Sequence, residues 1–504
     1  MKKKIVIIGS GFSSISAACY LSKSGHEVHV HEKNKSFGGR ARRLIRDKFL
    51  FDMGPSWYWM PDIIDSFFKD FDKSTSDYFK LKKLNPAYQV YFGQKDSLLI
   101  EDSLEKICRV FENLEPGSSK KLKDFIKTAE ENYNIAIKDY VYKPGISPLE
   151  LLSFKTLKKI NFFISNIKRD VEKKFKNQKL RQILQFPVLF LGAKPSKTPA
   201  FYNFMNYADF GLGTWHPEKG FYSLVEAMID LAKSQGVKFH NNSNINKIIV
   251  ENGKVNGVKV NSKDIYCDIV LSGADYHHSE TLLDLKYRRY NESYWKSRTF
   301  APSALLFYIG INKKLKNVSH HTLFFDESFD SHANDIYDDP KWPDKPLLYA
   351  NFPSISDPKM APKGKEVCTI LIPLAPGLKD SKKMRKHYFN LVIDRLEKLT
   401  DQEIKSKILF YESFCLNDFI KEYNSYKGNA YGLANTLFQT AFLKPKLKSK
   451  KVKNLFFSGQ LTVPGPGVPP ALISGKLVAG PVSYTHLRAH ETDSYLVCRL
   501  LREK

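Results

Sequence analysis

The chain has 504 residues, of which 42% are hydrophobic, and these values indicate a folded protein of two or three domains and exclude a disordered chain. Its 79 basic residues exceed its 53 acidic residues, and the formal net charge of +26 favours contact with a polyanion or an anionic membrane surface. The sequence has no zinc-finger spacing, RNP-type motif or basic region with heptads, so we expect a membrane surface, and no nucleic acid, as partner.

The six cysteines are scattered along the chain without a CxxC pair. This spacing argues against a cysteine zinc site or a disulfide framework and is typical of a reducing compartment. We therefore predict no metal site. No apolar run of the sequence approaches the ~20 residues that a membrane-spanning helix needs.

The first forty residues predict a dinucleotide-binding βαβ unit. An apolar strand, Ile5–Ile8, leads into a glycine turn and then a helix, and a second strand, Val28–His31, ends at Glu32. The turn reads Gly9-Ser10-Gly11-Phe12-Ser13-Ser14. Glu32 follows Gly11 by 21 residues, where a carboxylate can accept the hydroxyls of an adenosine ribose.

Each position of the turn has a physical role. Gly9 permits the tight turn, and Gly11 allows the backbone to approach a pyrophosphate at the helix N-terminus. Ser14 replaces the third glycine, and its small side chain still permits close packing of helix on strand. The predicted cofactor-binding residues of this unit are Gly9, Gly11, Phe12, Ser14 and Glu32.

A second glycine motif, Gly38-Gly39-Arg40, follows the ribose acid and precedes Asp52-Met53-Gly54-Pro55. Paired glycines let the chain fold back over a second part of the cofactor, and Arg40 is placed to neutralise phosphate. Nicotinamide enzymes do not need this extension. We therefore add Gly39, Arg40, Gly54 and Pro55 to the predicted cofactor-binding residues.

The next region is helical and basic between Leu104 and Asp170, and a segment from Leu151 to Leu191 combines helical apolar spacing with interspersed lysines. It ends in the apolar run Phe186–Leu191. Such a segment can lie on a bilayer surface, or it can pack against the protein core. The sequence leaves both interpretations open.

Strand and turn signals typical of the cofactor fold return at 211–290 and again near the C-terminus, separated by an insertion of strands and one long helix. We predict an α/β fold, in which a Rossmann-like cofactor domain is interrupted by a discontinuous α+β substrate domain. The predicted cofactor segments are 1–105, 211–290 and 440–480, and the predicted substrate segments are 106–210 and 291–439.

The closing motif runs from Asn454 to Lys476: a strand ends at Gly459, a glycine–proline loop follows, and a helix begins near Pro469. A proline suits the first helical turn, and the helix N-terminus points its positive dipole at an electron-rich group. The predicted cofactor-binding residues of this motif are Gly459, Gln460, Gly467, Val468 and Pro469.

Together, these motifs resemble those of the bacterial-type phytoene desaturases, in the carotenoid desaturase family, from residue 1 to about 480. The resemblance also includes Gly213-Thr214-Trp215, Ala274–His278 and Tyr431–Asn435. The chain departs from the family pattern at Ser14, Gln460 and Pro466. The resemblance implies a Rossmann-like FAD-binding fold with an inserted substrate domain.

It further implies an enzyme that removes hydrogen from C–C single bonds of phytoene, a C40 polyene, by hydride transfer to FAD, giving lycopene-type products. Oxygen or a quinone would reoxidise the flavin. The family's membrane association implies a cytoplasmic protein held at the inner face of the cell membrane. The aromatic stretches Phe201–Phe204 and Phe324-Phe325 suit an apolar substrate tunnel.

Two other functions remain open on the sequence. One is another flavin oxidoreductase of the superfamily: a later-step carotenoid desaturase, or an amine or porphyrinogen oxidase. The other is a non-enzymatic, basic membrane-binding protein with a vestigial flavin motif, against which the intact Gly9, Gly11, Glu32 and Arg40 argue. We assign no catalytic acid or base, because His277 and His278 lie in a turn of the cofactor domain.

Residues 481–504 differ in composition from the rest of the chain, since their basic residues are arginines apart from Lys504. We expect Pro481 to break the closing helix. We interpret 481–504 as a non-native tail that carries no site and packs poorly, with a genuine short surface helix as the alternative.

Overall fold

The computed structural model describes residues 2–147, 150 and 159–484. The strands are β1 (Lys4–Ile8), β2 (Glu27–His31), β3 (Arg43–Arg46), β4 (Phe49–Asp52), β5 (Leu81–Lys83), β6 (Tyr88–Gly93), β7 (Asp96–Ile100), β8 (Trp215–Pro217), β9 (Lys238–His240), β10 (Ile245–Glu251), β11 (Lys254–Val260), β12 (Lys263–Tyr266), β13 (Ile269–Ser272), β14 (Ser303–Ile311), β15 (His321–Phe324), β16 (Leu348–Asn351), β17 (Glu366–Leu374), β18 (Ile408–Phe414) and β19 (Leu455–Phe457). The α-helices are α1 (Phe12–Lys23), α2 (Pro61–Lys69), α3 (Leu104–Leu114), α4 (Ser118–Ile135), α5 (Ile160–Ile164), α6 (Ile167–Lys174), α7 (Gln178–Gln185), α8 (Phe204–Phe210), α9 (Tyr222–Ser234), α10 (Tyr276–Thr281), α11 (Glu292–Lys296), α12 (Phe329–Tyr337), α13 (Lys382–Thr400), α14 (Leu416–Tyr423) and α15 (Val468–Tyr484).

The first sheet is parallel, with strand order β19-β13-β1-β2-β9. Its central strand β1 is fully buried at Ile5, Val6 and Ile7, as expected for a strand with helices on both faces. Helices α1, α9 and α15 contribute apolar side chains to the core beside this sheet. The strands come from three separate parts of the chain, so the predicted Rossmann-like, discontinuous cofactor fold is confirmed.

The second sheet has seven strands in the order β18-β14-β17-β16-β15-β6-β7, antiparallel except where β6 pairs with β15. Strand β14 is buried along its whole length and lies between β17 and β18. This sheet is the centre of the predicted substrate domain.

Strands β6 and β7 correct one predicted boundary. They lie within 1–105, the first predicted cofactor segment, yet they join the second sheet through the pairing of Gln89–Tyr91 with Thr322–Phe324. Partners more than 200 residues apart in sequence decide this placement, and local patterns do not carry that information. The first cofactor segment therefore ends before residue 88.

Between α3 and α8 the chain forms several short helices and no single amphipathic one among the residues that the structure describes. The predicted segment from Leu151 to Leu191 lies partly outside that range, at 151–158. Its described part contains α5, α6, α7 and a 3₁₀ turn, Phe186–Leu191. Phe186 and Val188 of that turn are buried, so this apolar run belongs to the protein core.

The prediction that Pro481 breaks the closing helix was wrong, because α15 continues through it to Tyr484. Pro481 lies in the last turn of α15, where a lost backbone hydrogen bond has the least effect on the helix. Val482 is fully buried in the core beside the first sheet, which holds the end of the helix in place. The rest of the predicted tail, 485–504, lies outside the described residues.

Candidate functional site

The glycine turn after β1 has the predicted geometry. Gly9 has φ = +85°, a conformation that favours glycine, and its N–H donates to the His31 carbonyl at 2.8 Å. Gly11 is the N-cap of α1, and a Cβ built on it meets no protein atom within 4 Å. Open space therefore lies where the turn would have to approach a cofactor.

Glu32 lies beside this turn at the end of β2. Its carboxylate accepts hydrogen bonds from the Ser10 N–H at 3.0 Å, the Ser10 hydroxyl at 2.7 Å and the Asn34 N–H at 2.9 Å. These contacts fix the buried carboxylate at the edge of the turn. A carboxylate oxygen can accept more than one hydrogen bond, so Glu32 can still bind ribose hydroxyls.

The second glycine motif folds back onto the first. The Gly38 N–H donates to the Ser10 carbonyl at 3.1 Å, and a Cβ on Gly39 would lie 3.2 Å from the Gly11 Cα. Gly39 also has φ = +57°. The two motifs thus meet only because both carry glycine at the contact.

Arg40 extends from this motif and is buried. Its Nη2 donates to the Ser425 hydroxyl and the Asn429 carbonyl, both at 3.3 Å, whereas its Nε has no hydrogen-bond partner among the described residues. Burial lowers the pKa of the Arg40 guanidinium, and the nearby Asp275 carboxylate offsets part of this effect. A buried cation with a spare donor is suited to an anionic group such as phosphate.

Gly54 packs against the same motif, since a Cβ on it would lie 2.2 Å from the Arg40 carbonyl oxygen. Pro55 follows it into the cavity described below. The Asp52 carboxylate has a different role: it accepts the N–H groups of Phe221 at 2.6 Å and Tyr222 at 3.1 Å, at the start of α9. Asp52 therefore joins the hairpin β3–β4 to a helix of the cofactor domain.

The closing motif lies on the opposite side. Gly459 and Gly467 have φ of +106° and +114°, and α15 begins at Val468, one residue before the predicted start. The Gly459 N–H donates to the Ser474 hydroxyl at 3.0 Å. This bond holds the start of the loop against the helix that follows it.

These motifs line one cavity of about 880 Å³. Of the predicted cofactor-binding residues, those that line it are Gly9, Gly11, Phe12, Glu32, Gly39, Arg40, Gly54, Pro55, Gly459, Gln460, Gly467, Val468 and Pro469. Ser14 does not: it is buried in α1, and a Cβ on Gly273 would lie 2.0 Å from its hydroxyl oxygen. Ser14 thus serves the packing of helix on strand, and not direct contact with the cofactor.

The same cavity continues into the substrate domain, where aromatic and aliphatic side chains line it. They include Phe163, Phe186, Leu189, Phe201, Tyr202, Phe204, Met205, Phe325, Phe329 and Leu347. Three residues of the aromatic stretch 201–204 are in this set, while Phe324 instead stacks on Tyr91 at 5.4 Å. One continuous space therefore joins the dinucleotide motifs to an apolar chamber.

Sequence reasoning missed a hydrogen-bonded chain at the junction of the two halves. The Ser56 hydroxyl and the Tyr349 hydroxyl lie 2.9 Å apart, and the Tyr349 hydroxyl lies 2.7 Å from His321 Nδ1. Trp57 stacks on the His321 ring at a centroid distance of 4.0 Å. Burial holds the pKa of His321 well below its usual value, so the ring is neutral and fixes the position of Tyr349.

Ser56 directly follows the motif Asp52–Pro55, but Tyr349 and His321 lie almost 300 residues further on. The pairing of β15 with β16 brings these two side chains together. Local sequence carried no signal for this chain of contacts.

The cavity fits a flavin dinucleotide by its own geometry. Gly11 leaves open space at a helix N-terminus, Arg40 has an unpaired donor, and Glu32 presents a fixed carboxylate. These three features match a pyrophosphate and an adenosine ribose.

Comparisons with known proteins agree with this geometry. The sequence profile of the family described as flavin containing amine oxidoreductase matches residues 13–482. A carotenoid 3,4-desaturase of Haloarcula japonica is 36% identical over 479 residues, which cover 94% of this chain and 97% of that protein. A 4,4'-diapophytoene desaturase (4,4'-diaponeurosporene-forming) of Staphylococcus haemolyticus is 30% identical over 491 residues, covering 94% and 97%.

A zeta-carotene-forming phytoene desaturase of Myxococcus xanthus is 29% identical over 488 residues, which cover 94% of this chain and 93% of that protein. Among solved structures, an oxidoreductase from Methanosarcina mazei superposes with a TM-score of 0.61 at 18% identity, covering 95% of this chain and 100% of that chain. At such low identity, the superposition supports the fold alone.

Proposed function

Because this chain belongs to the flavin containing amine oxidoreductase family, an oxidoreductase family with FAD as cofactor, we propose that it desaturates a carotenoid. FAD, when bound, accepts a hydride from a carbon of the substrate, and the neighbouring carbon gives up its hydrogen as a proton. The protein positions the two reactants and keeps the reaction site dry.

The observation that carries this proposal is the continuity of the cavity. Its dinucleotide half carries the charged and glycine positions described above, and its other half is lined mainly by aromatic and aliphatic side chains. A polyene offers no group for a charged residue to bind, so it must be held by apolar contact over its length. An apolar chamber that opens onto the flavin site suits such a substrate.

Phytoene is our leading substrate, with lycopene-type products. The named relatives from Myxococcus and Staphylococcus, both of which act on a phytoene or diapophytoene, support this choice. The second candidate is a later carotenoid, and the higher identity to the Haloarcula 3,4-desaturase favours it. Amine and porphyrinogen oxidation are weaker candidates, because their polar substrates would leave polar groups unpaired in an apolar chamber.

We also propose that the mouth of the cavity lies against a membrane, at the inner face of the cell membrane. Phe438 and Leu443 both line the cavity and are exposed, Phe438 to 78%. Ile164 is 77% exposed and follows the cavity residue Phe163, and Ile146 is 73% exposed. An apolar rim on a protein of net charge +26 is suited to an anionic lipid surface, from which a polyene can enter.

The described part of the chain contains no helix that is long and apolar enough to cross a bilayer. Contact with lipid would therefore use the rim residues just named. Oxygen or a quinone would then reoxidise the flavin.

Product analysis tests the proposal. The gene is expressed in cells that accumulate phytoene and, separately, in cells that accumulate lycopene, and the carotenoids are identified by absorbance and mass. We expect longer conjugation in at least one host, and the host that responds identifies the substrate. Unchanged carotenoids in both hosts, from protein that has FAD bound, would contradict the proposal.

A further inference from the structure

Three histidines lie together at the edge of the first sheet. His29 and His31 alternate along β2 and so face the same side, and His240 on β9 pairs in register with His31. One ring nitrogen from each histidine lies within 4.8 Å of the corresponding nitrogens of the other two. This arrangement is separate from the glycine motifs and from the apolar chamber.

The hydrogen bonds of these rings leave nitrogens free on the inside of the cluster. His29 Nε2 bonds outward to Glu27 Oε1 at 2.9 Å, which leaves Nδ1 facing His240. His31 Nδ1 bonds to the Ser243 hydroxyl at 2.7 Å, and its buried Nε2 has no hydrogen-bond partner among the described residues. A metal-ligating histidine typically has such an outer partner, often a carboxylate, which fixes its tautomer.

The spacing also suits an ion. His29 Nδ1 and His240 Nε2 lie 3.1 Å apart, and their ring planes are parallel. Two nitrogens, each about 2.05 Å from a tetrahedral zinc ion, lie about 3.3 Å apart. Small tilts of the two rings would therefore point both lone pairs at an ion that replaces the proton now shared between them.

We propose that His29, His31 and His240 form a binding site for a divalent transition-metal ion of the zinc type. Three imidazoles are ligands for zinc, copper or nickel and are poor ligands for magnesium or calcium, which prefer oxygen. The prediction of no metal site rested on the cysteine pattern, and the sequence His29-Val30-His31 was its unused signal.

The position of the site indicates what the ion would do. It would cross-link β2 to the edge strand β9, whose His240 carbonyl accepts the Glu32 N–H at 2.8 Å. Glu32 is the carboxylate beside the glycine turn. The ion would therefore stabilise the edge of the sheet that holds the adenosine end of the cofactor site.

Lys238 lies 3.6 Å from Glu27 and competes for its charge. The cation therefore depends mainly on the three imidazoles, and Glu27 acts through His29 as a positioning residue. This order of importance separates the variants of the test.

The test uses the full-length holoprotein without a polyhistidine tag, after treatment with EDTA. Zn²⁺ is titrated by calorimetry, and Co²⁺ serves as a coloured substitute whose absorption reports nitrogen ligation. We expect one strong Zn²⁺ site per chain and a rise in the melting temperature when Zn²⁺ is added. His29→Ala and His240→Ala should abolish both effects, and Glu27→Gln should weaken binding by roughly 10- to 100-fold.

The control is His387→Ala, which removes an exposed histidine of α13 and should leave the titration unchanged. Circular dichroism and bound FAD show whether each variant is folded; since His29 and His240 are only partly buried, at least one of the two should be. The absence of saturable Zn²⁺ binding, or wild-type affinity in a folded His29→Ala or His240→Ala protein, would overturn the proposal.

Discussion

Gly11 and Gly39 lie side by side, yet glycine is required at the two positions for different reasons. A Cβ on Gly11 points into open space, so the fold itself does not exclude a larger side chain there. A Cβ on Gly39 would lie 3.2 Å from Gly11, at a positive φ that disfavours other residues. The first glycine therefore serves the ligand and the second serves the fold.

We expect Gly11→Val to lower FAD affinity at least tenfold while leaving the stability of the apoprotein within about 1 kcal/mol of wild type. The valine would occupy the space that the pyrophosphate needs. Fluorescence titration with FAD measures the affinity, and urea unfolding of the apoprotein measures the stability. Wild-type FAD affinity in this variant would remove Gly11 from the cofactor site.

His332 provides a prediction about pH. It is buried, accepts the Leu347 N–H on Nδ1 at 3.0 Å and contacts the Pro373 carbonyl through Nε2 at 2.9 Å. Burial lowers the pKa of His332 from its usual 6.5 to about 4. The unfolded chain thus binds a proton that the folded chain does not bind between pH 6.5 and 4, and the stability contribution is full above pH 6.5 and is lost toward pH 4.

This loss amounts to about 3 kcal/mol. Urea unfolding at several pH values should show that His332→Gln has a shallower decline toward acid than wild type. The exposed His387→Gln is the matched control and should keep the wild-type decline. Equal declines in His332→Gln and wild type would contradict the assignment.

Among the elements, the closing helix α15 has the largest effect on the site, because its first residues line the cavity and its middle packs on α1. A Cβ on Gly475 would lie 2.5 Å from the Ser13 carbonyl oxygen and 2.6 Å from the Ser16 Cβ. The Ser16 hydroxyl also donates to the Leu472 carbonyl at 2.8 Å. The two helices that begin at the dinucleotide site are thus locked together.

We expect Gly475→Ala to destabilise the protein by about 1–3 kcal/mol, because the methyl group forces α15 away from α1. Gly480→Ala is the matched control in the same helix: its Cβ meets no atom within 4 Å, and it should be neutral or stabilising by about 0.5–1 kcal/mol. Thermal unfolding distinguishes the two. Similar stabilities for both variants would show that the close contact is absent.

The sequence predicted the elements whose patterns are local. The helix at 222–234 has the predicted bounds, and the central strands of both sheets lie within about one residue of their predicted positions. Pro481 shows where local rules failed, since burial of Val482 outweighs the propensity of one proline. The placement of β6 failed for the same reason: its partner lies far along the chain.

The cofactor half of the site was predictable because its residues lie in compact motifs with a fixed spacing. The apolar half and the chain Ser56–Tyr349–His321 were not, because only the pairing of distant strands brings these side chains together. Ser14 was placed in the right element but given contact with the cofactor that it does not have.

At the scale of the whole molecule, the exposed apolar rim predicts how the protein meets a membrane. Replacing Ile164 and Phe438 by aspartate should reduce binding to anionic vesicles by roughly 10- to 100-fold, since each buried apolar side chain contributes about 1.5–3 kcal/mol. Flotation measures the bound fraction, which should also fall with salt. Leu285→Asp is the control, because Leu285 is equally exposed on the cofactor domain, at 77%.

Equal flotation of the rim variant and the Leu285 variant would show that the rim does not face lipid. Loss of flotation in the rim variant alone, with FAD still bound, would place the mouth of the cavity at the bilayer.

The central claim is that one cavity joins a flavin to a polyene. Its most direct test is anaerobic mixing of the FAD-loaded protein with vesicles that carry phytoene or lycopene, followed at the flavin band and at the absorbance of the polyene. We predict that, with one of the two, the flavin band bleaches at the same rate as longer-wavelength polyene absorbance grows. A flavin that stays oxidised with both polyenes, yet is reduced by an amine or a porphyrinogen, would contradict the account.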